Sequence, residues 1–192
     1  MTNAEFIKYV IDFCVKNKVG IRFSPYYKED CTGYFDHRIP EIYVYFKRNE
    51  EDWFADFLHE FCHAEQWLSN YQLYWESNKY NLLDDTKNWN KYSTTDLKHM
   101  LSVYRDVEAD CERRAILYIK KFKLSIDAIQ YAKKANACIY HYNMLLYYGW
   151  NVPSPDSYEE IVNAMPSKIK KSYKNTPTWL KKMYTKYYGK LE

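Results

Sequence analysis

The sequence predicts an α+β fold with its strands gathered near the N-terminus. Three observations lead there. Residues 3–18 space their apolar positions as a helix does. Three short β-prone stretches follow between residues 19 and 46. Every later periodic segment is helical. With 192 residues, 47% of them hydrophobic and 19% aromatic, the chain can bury a sizeable core. Only four glycines and six prolines exclude collagen-like or linker-rich architectures.

Thr2 and Glu5 form a capping box that opens the first helix, with Gly20 expected as its stop. Strands are expected at 19–23, 31–36 and 41–46. The run DHRIP turns the second into the third as a hairpin. Asn49 is placed to cap a helix to about residue 68, whose acidic first turn suits the positive end of the helix dipole. Residues 69–92 show no clean period and predict a long loop with a short helix inside it. Ser93 and Asp96 open a helix running to residue 122. Ser125 is expected to cap another that ends at Gly149. Residues 153–156 are a break, and short basic helices follow, the last opened at Thr176-Pro177 and closed by Gly189. This predicts one domain over residues 1–150 with a basic helical extension, 151–192, packed on it.

No apolar run approaches the length of a membrane span. The N-terminal stretch has acids among its apolar residues, and neither a basic start nor a small-residue cleavage site, so it does not resemble a signal peptide. Five scattered cysteines without a CxxC pair suit reduced thiols. A cytoplasmic location follows, that of the host if the chain is phage-encoded. Net charge is +3 but uneven: the last 27 residues hold eight lysines and one acid, so that tail carries +7 and the remainder −4.

The chemistry is concentrated in His59-Glu60-Phe61-Cys62-His63, an HExxH run within the 49–68 helix. At about 100° per residue the two histidines fall about 40° apart, one turn from each other. Two neutral imidazoles so placed suit one Zn²⁺, and Glu60 falls beside the ion, where its carboxylate can take a proton from water. Chance produces such a match in roughly one chain in a hundred of this composition. A third protein ligand is expected. Glu108 is the candidate, because it points into the apolar stripe of the 94–122 helix made by Leu101, Tyr104, Ala115 and Ile119. A carboxylate there is costly unless paired or metal-bound. The bland alternative is an ion pair with Arg105 or Arg113, and Cys62 or Cys111 could coordinate in its place. Glu112, one turn on, is placed to orient a ligand histidine through its ring N–H.

HEFCH followed by VEADCERRA resembles the zincin metallopeptidases of the glutamate-ligand (gluzincin) type, nearest to the small phage and bacterial ImmA/IrrE-like members. The resemblance spans about residues 19–122. It implies a zincin-like minimal metallopeptidase fold: a small antiparallel or mixed three-stranded sheet, an HExxH helix and a ligand helix, with C-terminal helices added. It further implies one Zn²⁺ held by His59, His63 and Glu108, hydrolysis of peptide bonds with Glu60 as general base, a peptide or protein substrate, and the second strand as the edge to which a substrate chain adds. Tyr104 and His141 are candidate donors to the developing oxyanion. The competing expectation is a catalytically silent metal-binding or nucleic-acid-associated protein, in which residues 166–192, rich in lysine and tyrosine, contact nucleic acid weakly.

Overall fold

A computed structural model describes residues 2–25, 32–46, 50–80, 86–149, 152 and 158–189. The fold is α+β and mostly helical, with one small mixed sheet. No described helix is long and apolar enough to cross a membrane. The chain divides into two compact units. The first is Met1–Tyr71 with Cys111–Ala128, and the second is Gln72–Asp110 with Ile129–Glu192.

In the first unit, helix α1 (Asn3–Asn17) begins at the expected capping box, where the Thr2 side chain accepts from the Glu5 N–H and the Thr2 N–H donates back to Glu5. Its stop differs from expectation. Lys18 takes the left-handed conformation at φ 57°, and its N–H closes on the Cys14 and Val15 carbonyls. Gly20 is therefore free to begin strand β1 (Gly20–Ser24). Strands β2 (Gly33–Asp36) and β3 (Glu41–Tyr45) form the antiparallel hairpin, and β1 runs parallel to β3, giving the order β1-β3-β2. Residue 31, the expected start of the second strand, lies outside the described residues, as do Asn49 and the break at 153–156.

The hairpin turn is fastened by Asp36. Its Oδ1 accepts from the Arg38 backbone N–H at 2.9 Å and from Nε at 3.0 Å, and Oδ2 accepts from Nη2 at 2.9 Å. This bidentate guanidinium holds the Asp36 carboxyl down at about 2.

Helix α2 (Glu50–Leu68) lies under the sheet, against β2 and β3, and Ile42 and Val44 of β3 are fully buried. Phe54, Phe57 and Phe61 of α2 meet Phe6 of α1 at ring-centroid distances of 5.9, 6.4 and 5.9 Å, mostly edge to face. Phe122, at the end of α4 (Thr94–Phe122), joins the same cluster at 5.4 Å. Tyr118 of α4 donates to Glu65 of α2 at 2.5 Å, and burial together with that carboxylate raises its phenol above the ordinary range. An aromatic core of this kind fixes the angle of α2, and so the direction in which its histidines project.

The second unit begins with α3 (Gln72–Ser77) and a 3₁₀ turn (Thr86–Lys91), so the expected 69–92 loop holds two short helical pieces. Ser93 caps α4, its Oγ accepting from the Asp96 N–H at 3.1 Å. Helix α5 spans Ala128–Tyr148. It starts three residues after Ser125, which is not its cap; the Ser125 hydroxyl and N–H bond instead to the Asn3 side chain, at 2.5 and 3.0 Å. Helices α6 (Glu159–Ala164) and α7 (Thr178–Tyr188) share a buried core with α5, built on Tyr140, Met144, Ile161, Leu180 and Tyr184. The C-terminal segments thus belong to the second unit's core, and the units do not divide at residue 150.

Among the described residues of the tail one helix, α7, is basic, where several were expected. Residues 166–177 are irregular, and the fully buried Asn136 explains how they are held. Its Nδ2 donates to the Pro166 carbonyl at 2.8 Å and the Lys168 carbonyl at 3.1 Å, and its Oδ1 accepts from the Tyr173 hydroxyl. A buried amide with all of these partners replaces the ladder a helix would supply.

Candidate metal centre

His59 and His63 sit on the half-buried side of α2, one turn apart, while the phenylalanines between and before them face the core. The rings stand nearly perpendicular, at 84°, with centroids 4.7 Å apart. Each ring's outer nitrogen has a partner. His59 Nδ1 is 3.1 Å from Glu112 Oε1, and His63 Nδ1 is 2.8 Å from Gln66 Oε1. Carboxylate and amide oxygens accept only, so these partners favour the tautomer with its proton on Nδ1 in each ring. In the neutral rings the lone pairs are then both on Nε2, and these two atoms are 3.1 Å apart. Two lone pairs at that distance repel unless a cation lies between them. The separation is close to the edge of a tetrahedron with metal–nitrogen bonds of about 2.0–2.1 Å, which is about 3.3 Å.

The residues present could hold a metal ion. Ligand atoms of His59, His63 and Cys111 all lie within 4.8 Å of one another. The Cys111 thiol is fully buried, 3.6 Å from His59 Nδ1, and donates to the His59 carbonyl at 3.3 Å. Imidazole and thiolate are both good zinc donors. Glu112 is nearly buried, and its Oε2 has no hydrogen-bond partner among the described residues. A half-satisfied carboxylate at this depth is expensive, and a cation nearby offsets that cost.

Glu60 is buried, at 8% exposure. It packs against the backbone of the edge strand: a Cβ built on Gly33 would stand 3.1 Å from Glu60 Cγ, 3.6 Å from its Oε1 and 2.9 Å from the Tyr43 carbonyl oxygen. Glycine at 33 therefore gives the carboxylate its room beside β2.

The structure brings together His59, His63 and Glu112, and adds Cys111. Glu108 is half-buried on α4, three residues before Cys111, and falls in the second unit. Arg105, one suggested partner for it, engages Asp106 and Asn143. Tyr104 donates its hydroxyl to the Tyr80 carbonyl, and His141 Nδ1 lies 3.0 Å from the Tyr184 hydroxyl, all within the second unit. Sequence reasoning missed Gln66 and Gly33. Gln66 had a signal, since it lies three residues after His63 and so one turn along the same face. Gly33 had none.

No protein-family model, curated protein or solved structure matches the chain.

Proposed function

We propose that this chain is a zinc-dependent metallopeptidase with a zincin-like arrangement, hydrolysing peptide bonds with Glu60 as general base. One observation carries the reading: two histidines of an HExxH helix aim their Nε2 atoms at one point, 3.1 Å apart, with both Nδ1 atoms engaged elsewhere. His59 and His63 would hold one Zn²⁺. The third ligand would come from α4, either Cys111, whose sulfur lies within 4.8 Å of a ring nitrogen of each histidine, or Glu108, to which the resemblance points. The ion would act as a Lewis acid, polarising the scissile carbonyl and acidifying water.

The chain's own residues do the rest. Glu112 and Gln66 keep the protons on Nδ1 and hold the rings in place. Glu60, set in the buried space beside β2, takes the proton of the attacking water and returns it to the leaving amine. Strand β2 is an edge of the sheet, and an extended peptide adding to it would run past the Glu60 carboxylate. The substrate would be a peptide or protein, met in a cytoplasmic compartment.

The test is Glu60→Gln, assayed on an unstructured protein substrate with zinc measured by elemental analysis. The variant should retain zinc and lose about 10²–10⁴-fold in rate. Equal cutting by variant and wild type removes Glu60 as the base. A wild-type chain that holds no zinc and takes none up from solution ends the peptidase reading. Zinc content of Cys111→Ala and Glu108→Ala assigns the third ligand: the variant that loses the metal identifies it.

A further inference from the structure

The second unit contains a cavity of about 230 Å³ to which the peptidase reading gives no role. Among the described residues, four cations line it and no carboxylate does: Lys98 and Arg105 from α4, Lys174 from the irregular segment and Lys181 from α7. A concave wall of one sign raises the local concentration of anions.

Arg105 makes this a built site. It is 6% exposed, so its guanidinium is not a surface charge free to swing into water. Its Nε donates to Asp106 Oδ1 at 2.8 Å and its Nη1 to Asn143 Oδ1 at 2.9 Å. A guanidinium has five N–H donors. The remaining three have no partner among the described residues. Asn143 is itself fixed, its Nδ2 donating to the Tyr173 carbonyl at 2.7 Å and to Thr176 Oγ1 at 3.1 Å. One carboxamide thus ties α4, α5 and the 173–176 segment into a single wall, and the arginine fork is held ready for an acceptor.

The chemistry of the acceptor follows. Asp106 offsets one of the four charges, leaving the three lysines uncompensated by any described residue of the wall. A fixed fork with several flexible ammonium groups suits a multiply charged phosphate group better than a single carboxylate. The volume is below the about 300–1,000 Å³ that encloses a drug-sized ligand. A space of that size suits phosphate groups, with the body of a larger ligand outside it. Tyr147 is one of the lining residues and is 51% exposed, with Lys181 Nζ 6.0 Å from its ring centre, offering an aromatic face on which a base can stack.

We propose that this cavity binds the phosphate end of a nucleotide, its base resting on Tyr147. The same chemistry has two sources, a free nucleoside triphosphate or the 5′-phosphorylated end of a single strand.

The full chain is titrated in low salt and chelator with three probes: adenosine triphosphate, a short single-stranded oligonucleotide bearing a 5′-phosphate, and the same strand with a 5′-hydroxyl. Chelator keeps the outcome independent of the metal centre. Binding of the triphosphate, of the phosphorylated strand in preference to the hydroxyl strand, or of both supports the proposal and identifies the source. Lys98→Gln and Lys174→Gln, exposed side chains whose removal leaves the core intact, should each weaken binding about tenfold, and Arg105→Lys, which keeps the charge but loses the fork, at least as much. Lys134→Gln, an exposed lysine of α5 outside the cavity, should leave affinity unchanged. No binding of the triphosphate or the phosphorylated strand at millimolar concentration overturns the proposal. So does equal binding of the two strands without the triphosphate, or an equal loss in Lys134→Gln and the cavity variants.

Discussion

Replacing Glu112 by glutamine separates the two things its carboxylate does beside His59. Oε1 accepts from Nδ1 at 3.1 Å, and Oε2 is buried without a partner among the described residues. Glutamine keeps the shape and removes the charge. If its oxygen faces Nδ1, an amide NH₂ takes the orphan position. If its NH₂ faces Nδ1, the ring must change tautomer, which puts the proton on Nε2 and removes the lone pair the metal needs. Either arrangement leaves His59 a poorer ligand. Losing such a partner lowers metal affinity by about 10–100-fold, or about 1.4–2.7 kcal/mol. The metal-free protein should respond differently. A buried carboxylate with one unsatisfied oxygen is costly, and a neutral side chain relieves part of that cost. Zinc affinity, read by competition with a chromophoric chelator, should therefore fall, while the thermal midpoint in chelator stays at or above that of the wild type. Unchanged affinity would remove Glu112 from the metal centre. A fall in affinity matched by a fall in metal-free stability would refute the reasoning in another way, by showing that Glu112 serves to join α2 to α4.

Three further outcomes follow from the packing and the charges. Gly33→Ala puts a methyl 2.9 Å from the Tyr43 carbonyl oxygen and 3.1 Å from Glu60 Cγ, so something must shift. Overpacking of this kind costs about 1–3 kcal/mol, and zinc content should be kept while hydrolysis falls by up to about 10²-fold, the usual penalty for misplacing a reacting group by about 1 Å; wild-type turnover in the variant would refute the contact. Arg38 lowers the Asp36 carboxyl from 3.8 to about 2, so its stabilisation is complete above about pH 4 and disappears as pH falls through about 2. Asp36→Asn should be less stable than wild type at neutral pH, by less than about 1 kcal/mol because Arg38 is exposed and screened, and the two should converge near pH 2 in urea midpoints taken across that range. Asn136→Leu removes the partner of the Pro166 and Lys168 carbonyls and of the Tyr173 hydroxyl. Pro166 and Lys168 are exposed residues, so the buried group left without its acceptor is the Tyr173 hydroxyl; at about 1–3 kcal/mol for such a group, urea denaturation should register a loss of at least about 1 kcal/mol, and a smaller loss would refute the role assigned to that amide.

The parts of the fold legible in the sequence are those governed by local chemistry. Thr2 and Glu5, Ser93 and Asp96, and Pro177 with Gly189 mark helix ends by interactions spanning a few residues, and the structure uses all of them. The ends that sequence misjudged were decided from a distance. Ser125 has the side chain of a cap, but Asn3, 122 residues away, takes both its hydroxyl and its N–H. Residues 166–177 have the charge pattern of an amphipathic helix, but Asn136 and Tyr173 supply hydrogen bonds to an irregular path, and the prolines at its two ends favour that path. Lys18 could take the left-handed position because its N–H closes on two carbonyls of its own helix, leaving the nearby glycine for the strand. The split of α4 between two units has no local signature, since its apolar stripe is continuous across the division at Asp110.

The candidate centre shows the same division. HExxH specifies two imidazoles and a carboxylate on one turn of helix, and helix geometry brings Nε2 to Nε2. What makes the arrangement chemically committed comes from elsewhere. Glu112 reaches in from α4 to fix one tautomer, Gln66 fixes the other from the next turn of α2, and the missing side chain at Gly33 makes room for Glu60 against β2. An HExxH helix with its two histidines open to water would present the same letters with rings free to rotate and to bond through either nitrogen. In this chain Glu112 and Gln66 engage Nδ1 of the two rings, and the two Nε2 atoms face each other 3.1 Å apart. The orientation of those two atoms, more than the spacing of the residues, is what would let the proposed cation sit between them.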